Sequence, residues 1–318
     1  MRKLVELLEP STTRDQKLNI KSKLTNGSYP ITRLARLGGA LGAGLAFCLT
    51  LAGQASASVP GYERVIKLSA DNSSSKRTVT VTCPAGKKLV GASARVWSTH
   101  PDIGFQHAVL DDITPNSTLT TLTVTGFEDG LGTASNWYLE AIANCADPLD
   151  GLERVVATSV SNSSFTKSVT ATCPAGKLVV GTGGEITGGL GRVVIDEIRP
   201  SSTLNSVLVT GYEDVNGTGI NWTVTAYAIC ATAPAGLQRI SGTSVTDSNS
   251  KWVQAACPSG TVLLGSGGEI TGGLGKVTML TFGPANPLSM VNQTTGIEIL
   301  TGTSANWTLS SYAICATN

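Results

Sequence analysis

One pattern occurs three times in succession along this chain, and this repetition limits the possible folds more than any other feature. Each copy contains a Cys-Pro-Ala-Gly or Cys-Pro-Ser-Gly segment, which begins at Cys83, Cys173 and Cys257. Each copy ends with an Asn-Trp pair and then a cysteine, and successive pairs are 85 residues apart. Such a period indicates three copies of one structural unit. We therefore predict three modules, called modules 1, 2 and 3, at residues 58–147, 148–233 and 234–318.

Runs of β-branched residues, bounded by turn residues, fill each copy. In module 2 they predict six strands, at residues 152–159, 167–173, 178–186, 192–198, 206–212 and 221–231. In the last run, a period of two places Trp222 and Cys230 on the same face. The predicted fold class is all-β, with three tandem, disulfide-closed, sandwich-like modules of about 85 residues each. One body with pseudo-threefold symmetry, such as a β-prism, is the alternative.

The cysteines of the three copies predict one disulfide in each module. Six cysteines permit several connectivities, but copies that fold alike are most simply bridged internally. The predicted bridges are Cys83–Cys145, Cys173–Cys230 and Cys257–Cys315. Closing a loop of such a length stabilises a module by about 4 kcal/mol in the chain-entropy account.

Residues 1–57 have the order of a secretory signal peptide with a long basic region. Arg33 and Arg36 precede an apolar run at 37–52, and small residues follow up to Ala57, after which we predict cleavage. The apolar run is shorter than the roughly 20 residues of a membrane-spanning helix. We therefore expect secretion, with membrane contact only through an uncleaved signal segment.

The charge content argues against nucleic acid as a partner. Only 14% of the residues are charged, and the formal net charge is +1. Beyond residue 57 there are 15 basic and 19 acidic residues, which do not create the positive field that phosphate backbones require.

The segments Thr-Cys-Pro-Ala-Gly-Lys, Gly-x-Gly-Gly-Glu-Ile and Asn-Trp-x-Val-x-Ala-Tyr-Ala-Ile-Cys resemble repeat modules of secreted proteins from actinobacteria and other bacteria. This group has no assigned biochemical activity. The resemblance covers about residues 59–318, and the first copy departs from it in the glycine-rich segment. More faintly, threefold repetition with Cys-Pro-x-Gly is similar to vitelline membrane outer layer protein, which implies a β-prism and a sugar-related role; the repeat is longer here.

Modules 2 and 3 share a glycine-rich run, Gly-Gly-Glu-Ile-Thr-Gly-Gly-Leu-Gly, at residues 183–191 and 267–275. No helical pattern follows it, which excludes a phosphate-binding loop. We interpret the run as a hairpin with its tip at 187–190. Exposed amides beside a glutamate could hold sugar hydroxyls, so the predicted ligand-binding residues are Gly184, Glu185, Thr187, Gly188, Gly189, Gly268, Glu269, Thr271, Gly272 and Gly273.

Candidate catalytic groups are few. A Ser/His/Asp site would need His100 or His107, the only two histidines, together with an aspartate. The aspartates available for it are Asp102, Asp111 and Asp112. A polar surface loop is the preferred interpretation of both histidines, and we predict no catalytic residue.

Paired carboxylates, which a glycosidase uses, are the other catalytic possibility. Asp196 and Glu197 correspond to Asp111 and Asp112, with Thr281 and Phe282 as the expected counterparts in module 3. The repeated Glu128, Glu213 and Glu298 are interpreted as structural hydrogen-bond acceptors. The repeated tryptophans are interpreted as core residues that pack near the disulfides.

No metal site and no cofactor are predicted. The turns at 128–130 and 213–218 supply oxygens but lack the ligand spacing of a calcium loop.

The functional hypothesis is a secreted, non-enzymatic protein that recognises cell-surface or environmental glycans through several weak sites. The alternative is a structural or protein-interaction component of the cell envelope, or a secreted inhibitor. A secreted hydrolase is the third possibility. The expected partner is thus a glycan or a cell-surface protein.

Overall fold

A computed structural model describes residues 58–98, 107–299 and 302–318. The predicted signal peptide, His100 and Asp102 lie outside the described residues. The described part of the chain contains eighteen β-strands and no α-helix, so the all-β prediction is confirmed.

Each module contributes six strands, at positions that match the runs of β-branched residues. Module 1 contains β1 Glu63–Leu68, β2 Lys76–Thr82, β3 Lys88–Ser98, β4 Ala108–Pro115, β5 Thr121–Glu128 and β6 Trp137–Ala146. Module 2 contains β7 Glu153–Thr158, β8 Thr166–Thr172, β9 Leu178–Thr187, β10 Val193–Pro200, β11 Ser206–Glu213 and β12 Thr223–Ala231. Module 3 contains β13 Gln238–Thr243, β14 Lys251–Ala256, β15 Thr261–Thr271, β16 Val277–Pro284, β17 Val291–Glu298 and β18 Thr308–Thr317.

Within a module the strands form two antiparallel halves of three strands each. In module 1 the halves have the orders β1-β6-β3 and β2-β5-β4, and the same orders recur in modules 2 and 3. The two halves contact each other between β2 and β6 and between β3 and β4. The disulfide Cys83–Cys145 joins the end of one half to the middle strand of the other. Cys173–Cys230 and Cys257–Cys315 do the same in the other modules, which confirms the predicted pairing.

Every half sheet continues into a half sheet of a neighbouring module, so three six-stranded sheets result. We call them sheet 1–2, sheet 2–3 and sheet 3–1 after the modules that form them. Their strand orders are β2-β5-β4-β9-β12-β7, β8-β11-β10-β15-β18-β13 and β1-β6-β3-β16-β17-β14. The three tandem, disulfide-closed modules are confirmed. Because each module shares a sheet with each of the other two, the three modules are also related by the pseudo-threefold symmetry of the alternative prediction.

Three equivalent glycines allow the modules to meet at the centre of this arrangement. A Cβ atom on Gly91 would lie 1.6 Å from the carbonyl oxygen of Leu264 in module 3. One on Gly181 would lie 2.4 Å from the oxygen of Val90 in module 1, and one on Gly265 would lie 2.7 Å from the oxygen of Val180 in module 2. Only glycine permits these backbone approaches, so the repeated glycine reflects contact between modules.

One hydrophobic cluster runs through all three modules. It includes Trp137, Trp222 and Trp307, each with no exposed surface, and this confirms the prediction that the repeated tryptophans are core residues. The modules share this core, because the inner faces of neighbouring modules pack on one another. The amide of Val59 donates to the carbonyl of Thr317 at 2.9 Å, which joins module 1 to the end of module 3.

Three disulfides indicate an oxidising environment for the folded chain. Among the described residues there is no helix with the length and apolar character needed to cross a membrane.

Candidate functional site

Each sheet carries a row of side chains that crosses all six strands on the face opposite the core. The backbone register places one residue of each strand in this row, and we call it the cross-strand row. In sheet 1–2 it consists of Thr78, Thr125, Asp112, Glu185, Thr225 and Thr158. In sheet 2–3 it consists of Ser168, Thr210, Glu197, Glu269, Ser310 and Thr243. In sheet 3–1 it consists of Trp252, Thr295, Thr281, Arg95, Glu140 and Leu68.

The first two rows have the same chemistry, with hydroxyl groups at both ends and two carboxylates at the seam between modules. The outer hydroxyls form pairs, as between Thr158 and Thr225 at 3.0 Å and between Ser168 and Thr210 at 2.9 Å. The spacing along such a row is that of β-strands, about 4.8 Å. Part of each row is buried, since Thr125, Thr225, Thr210 and Glu197 are all less than a tenth exposed. The hydroxyls at the row ends are exposed, and Asp112, Glu185 and Glu269 are partly exposed, so these are the groups that a ligand with several hydroxyls could contact.

In sheet 1–2 the seam carboxylates are Asp112 and Glu185, which lie opposite each other on β4 and β9. Burial and the neighbouring Asp112 raise the pKa of Asp111 well above its ordinary value. Burial, with a contribution from Glu185, raises the pKa of Asp112 to about 6. The hydroxyl of Tyr227 donates a hydrogen bond to Glu185. Burial at this seam therefore favours the protonated form of Asp111.

In sheet 2–3 the seam carboxylates are Glu197 and Glu269 on β10 and β15. Arg199 Nε donates to Glu197 and lies 3.7 Å from Glu269 Oε2, so one guanidinium partly neutralises both. Burial, together with Glu197 and Glu269, raises the pKa of Asp196. Burial and the hydrogen bond to Glu269 raise the pKa of Tyr312 to about 12.

Sheet 3–1 has no carboxylate pair at its seam, where Thr281 lies opposite Arg95. The expected counterparts of Asp111 and Asp112 in module 3 were wrong by one residue. The strand register shows Leu280 and Thr281 at these positions, and Phe282 belongs to the core. The extra residue of module 3 lies in the loop after β16, beyond the strand.

A cleft of about 420 Å³ lies on the outer face of sheet 3–1. Its walls include two tryptophans that do not belong to the repeated Asn-Trp pairs. Trp97 is 37% exposed and Trp252 is 63% exposed. We call this site the tryptophan cleft, and it is lined by Arg95, Val96, Trp97, Ser250, Trp252, Leu280, Thr281, Ala285, Gln293, Thr295 and Ile297.

The predicted ligand-binding residues of the glycine-rich run do not lie together. Glu185 and Glu269 belong to the cross-strand rows, whereas Gly184 and Gly268 are buried. A Cβ atom on Gly184 would lie 2.9 Å from the side chain of Ile198, so its place is in the core.

The remaining residues of the run lie at the end of β9 and β15 or just beyond. Thr187 and Thr271 are exposed, Gly188 is half-buried, Gly272 is exposed, and Gly189 and Gly273 are buried. The structure thus places Glu185 and Glu269 at module seams and Gly184 and Gly268 in the core. The threonines and the later glycines of the run lie at the strand ends.

The interpretation of this run as a hairpin is wrong. β9 pairs with β12 and β4, whereas β10 pairs with β11 and β15 in another sheet. The run is therefore a corner between two sheets. Its glycines permit close packing on the preceding module, because a Cβ atom on Gly191 would lie 2.0 Å from the carbonyl oxygen of Glu128.

The repeated glutamates hold the buried tryptophans. Glu128 accepts a hydrogen bond from Trp137 Nε1 at 3.2 Å, and Glu213 accepts one from Trp222 Nε1 at 3.0 Å. These contacts confirm the interpretation of both glutamates as structural acceptors. The third pair differs, since neither Glu298 Oε1 nor Trp307 Nε1 has a hydrogen-bond partner.

His107 does not contact Asp111 or Asp112 through any hydrogen bond of its ring. Its Nδ1 lies 3.0 Å from Asp129 Oδ2, and Asp129 Oδ1 accepts from the amide of Leu131 at 2.9 Å. The pair therefore fixes the turn after β5.

The oxygens of the 213–218 turn are also used within the turn. Asp214 Oδ1 accepts from the amide of Asn216 at 2.8 Å, and Glu213 Oε2 accepts from the amide of Thr218 at 3.2 Å. Among the described residues no group of three or more His, Cys, Asp or Glu side chains is placed to hold a metal ion.

Sequence reasoning missed the tryptophan cleft. A signal for it was present: Trp252 stands where the aligned strands of modules 1 and 2 carry Thr78 and Ser168. A large aromatic residue on the outer face of a strand, at a position where the other copies have a small polar residue, indicates a role outside the core.

Comparison of the chain with protein-family models finds no match. Comparison with curated proteins finds no match either.

Proposed function

We propose that this chain is a secreted, non-enzymatic protein that binds cell-surface or environmental glycans at several sites. The observation that carries the proposal is the cross-strand row, which recurs on three sheets. Two of the rows combine hydroxyl groups with paired carboxylates, and the third lies beside an aromatic cleft. Sugars are bound in proteins by such combinations of aromatic faces and a few placed polar groups.

The arrangement of the three rows favours multivalent binding. Each row is on a different sheet, and the shared core holds the sheets in a constant relation to one another. Linked sites on one polymer or one cell surface gain affinity because the second contact is intramolecular. Weak individual sites are therefore compatible with firm attachment.

Export is the other part of the proposal. It is supported by the order of basic, apolar and small residues at 33–57 and by the three disulfides. Both features are typical of proteins that fold outside the cytoplasm.

Glycan-array binding by the full chain tests the proposal. We expect signal on at least one polysaccharide, and the double variant Glu185→Gln/Glu269→Gln should weaken it by about tenfold or more, since each acidic row loses one of its two seam carboxylates. Glu153→Gln is the matched control, because Glu153 pairs with Lys177 at 2.7 Å outside the rows. A chain that binds no polysaccharide but binds an envelope protein would support the alternative role and contradict glycan binding.

The same array separates binding from hydrolysis. The paired carboxylates of the two acidic seams are the groups that a hydrolase would use. Release of reducing ends from a bound polysaccharide, abolished by Glu185→Gln/Glu269→Gln, would contradict the non-enzymatic part of the proposal.

A further inference from the structure

The tryptophan cleft lies over the seam at which module 1 meets module 3. Trp97 comes from β3 of module 1, and Trp252 comes from β14 of module 3. In the row, Thr295 and Thr281 stand between Trp252 and Arg95. The cleft is therefore completed only when both modules are in place.

Arg95 lines the cleft but is itself buried, with 5% of the residue exposed. One of its terminal nitrogens, Nη1, lies 3.4 Å from Glu140 Oε2. Its Nε is enclosed by the protein and has no hydrogen-bond acceptor. Arg95 therefore contributes charge near the cleft, and the polar contacts to a ligand come from the uncharged lining.

Among the described residues of the lining, the polar groups other than Arg95 are uncharged. They include Thr281, Thr295 and Gln293, and Arg95 is the one charged side chain in this set. Glu140 offsets that charge, and it also accepts a hydrogen bond from Trp97 Nε1 at 3.0 Å. The balance of charge therefore favours a neutral ligand over an acidic one.

The exposed tryptophan has no structural counterpart in the other sheets. Ser168 and Thr78 occupy the position of Trp252, and Glu269 and Glu185 occupy that of Arg95. The shared fold thus forms without these two residues. A tryptophan that is 63% exposed leaves a large apolar surface in water, which is the typical state of an unoccupied stacking platform.

We propose that the tryptophan cleft binds neutral pyranose units of a short linear oligosaccharide, with rings stacked on Trp252 and Trp97. The apolar C–H faces of such rings match the indoles, and their hydroxyls match Gln293 and Thr295. This inference rests on the proposed glycan binding and assigns it to one site.

The test is calorimetric titration of the full chain with cellotetraose, alongside the acidic tetragalacturonic acid. We expect cellotetraose to bind more tightly, and Trp252→Ala to weaken it by about tenfold or more, the effect of losing one stacked aromatic contact. Phe165→Ala is the matched control. Phe165 is 48% exposed and lies in the β7–β8 connection of module 2, outside the lining of the cleft.

The outcomes distinguish the site from the function. If cellotetraose binds and Trp252→Ala has no effect, the cleft is not the site, while glycan binding stands. Tighter binding of the acidic oligosaccharide would overturn the neutral ligand class. A further outcome is that neither probe binds while the array shows binding of another glycan. If Trp252→Ala does not weaken that binding, the inference about the cleft is overturned and the proposed glycan binding stands. A chain that binds no saccharide at all overturns the proposed function together with the inference.

Discussion

Each module buries one tryptophan beneath a cation and beside a glutamate. The cations lie over the rings, with Arg77 at 4.7 Å from Trp137, Lys167 at 4.6 Å from Trp222 and Lys251 at 4.1 Å from Trp307. The glutamate completes the arrangement in modules 1 and 2 by accepting the indole N–H. A buried indole that finds an acceptor avoids the free-energy cost of an unpaired donor.

The difference between the modules predicts unequal costs for one substitution. Glu213→Ala removes the acceptor of Trp222 Nε1, whereas Glu298→Ala removes none from Trp307. Each glutamate also accepts a hydrogen bond from one turn amide at 3.2 Å. Both substitutions therefore lose this turn contact equally. We expect Glu213→Ala to lower the free energy of unfolding by about 1–3 kcal/mol more than Glu298→Ala, as measured by urea denaturation. Equal losses would contradict the role of the indole contact.

At the scale of elements, the central strands of the three modules depend on glycine. β3, β9 and β15 contact one another in a cycle, and a carbonyl of each neighbour occupies the space of a side chain. Main-chain groups cannot move aside as a flexible side chain can, so the contact between these strands tolerates no added atom.

Gly91→Ala tests this contact. Its Cβ atom would lie 1.6 Å from the oxygen of Leu264, so we expect a loss of about 3 kcal/mol in the free energy of unfolding or a failure to fold. Gly219→Ala is the matched control, because nothing lies within 4 Å of the added atom, and its effect should stay within about 0.5 kcal/mol. A drop in melting temperature from Gly91→Ala no larger than that of the control would refute the close approach.

At the scale of the whole molecule, the modules are covalently closed but not separate. Each disulfide lies within one module, yet every sheet takes three strands from each of two modules. A module taken alone would expose β-strand edges at both of its seams, together with the core that its neighbours cover. Exposed edges of this kind pair with other chains.

We therefore predict that residues 148–233, expressed alone with the Cys173–Cys230 bridge formed, do not give a stable monomer. Size-exclusion chromatography and circular dichroism should show association or loss of sheet structure, while the full chain remains folded under the same conditions. A monomeric fragment with a cooperative thermal transition would show that one module is sufficient.

The candidate sites were only partly predictable from the sequence. Glu185 and Glu269 were identified because they recur in a glycine-rich run, and both lie in cross-strand rows. Asp112 and Glu197 were noted as carboxylates, but their partners across the seams come from another module. Arg95 and Trp252 are separated by more than 150 residues in the chain, and no local pattern relates them.

Features that depend on short-range pattern and on repetition were readable from the amino-acid sequence. Runs of β-branched residues bounded by turn residues located the strands, the repeated cysteines identified the bridges, and the recurring Asn-Trp pairs identified buried aromatic residues. These features follow from contacts that every copy makes in the same way.

Which strand edges meet became known from the three-dimensional fold. The edges of β4, β10 and β16 could pair within a module or between modules without any change in local pattern, because backbone hydrogen bonds are the same for any partner strand. Pairing between modules created the three seams. The acidic rows and the tryptophan cleft exist because side chains from different copies meet there.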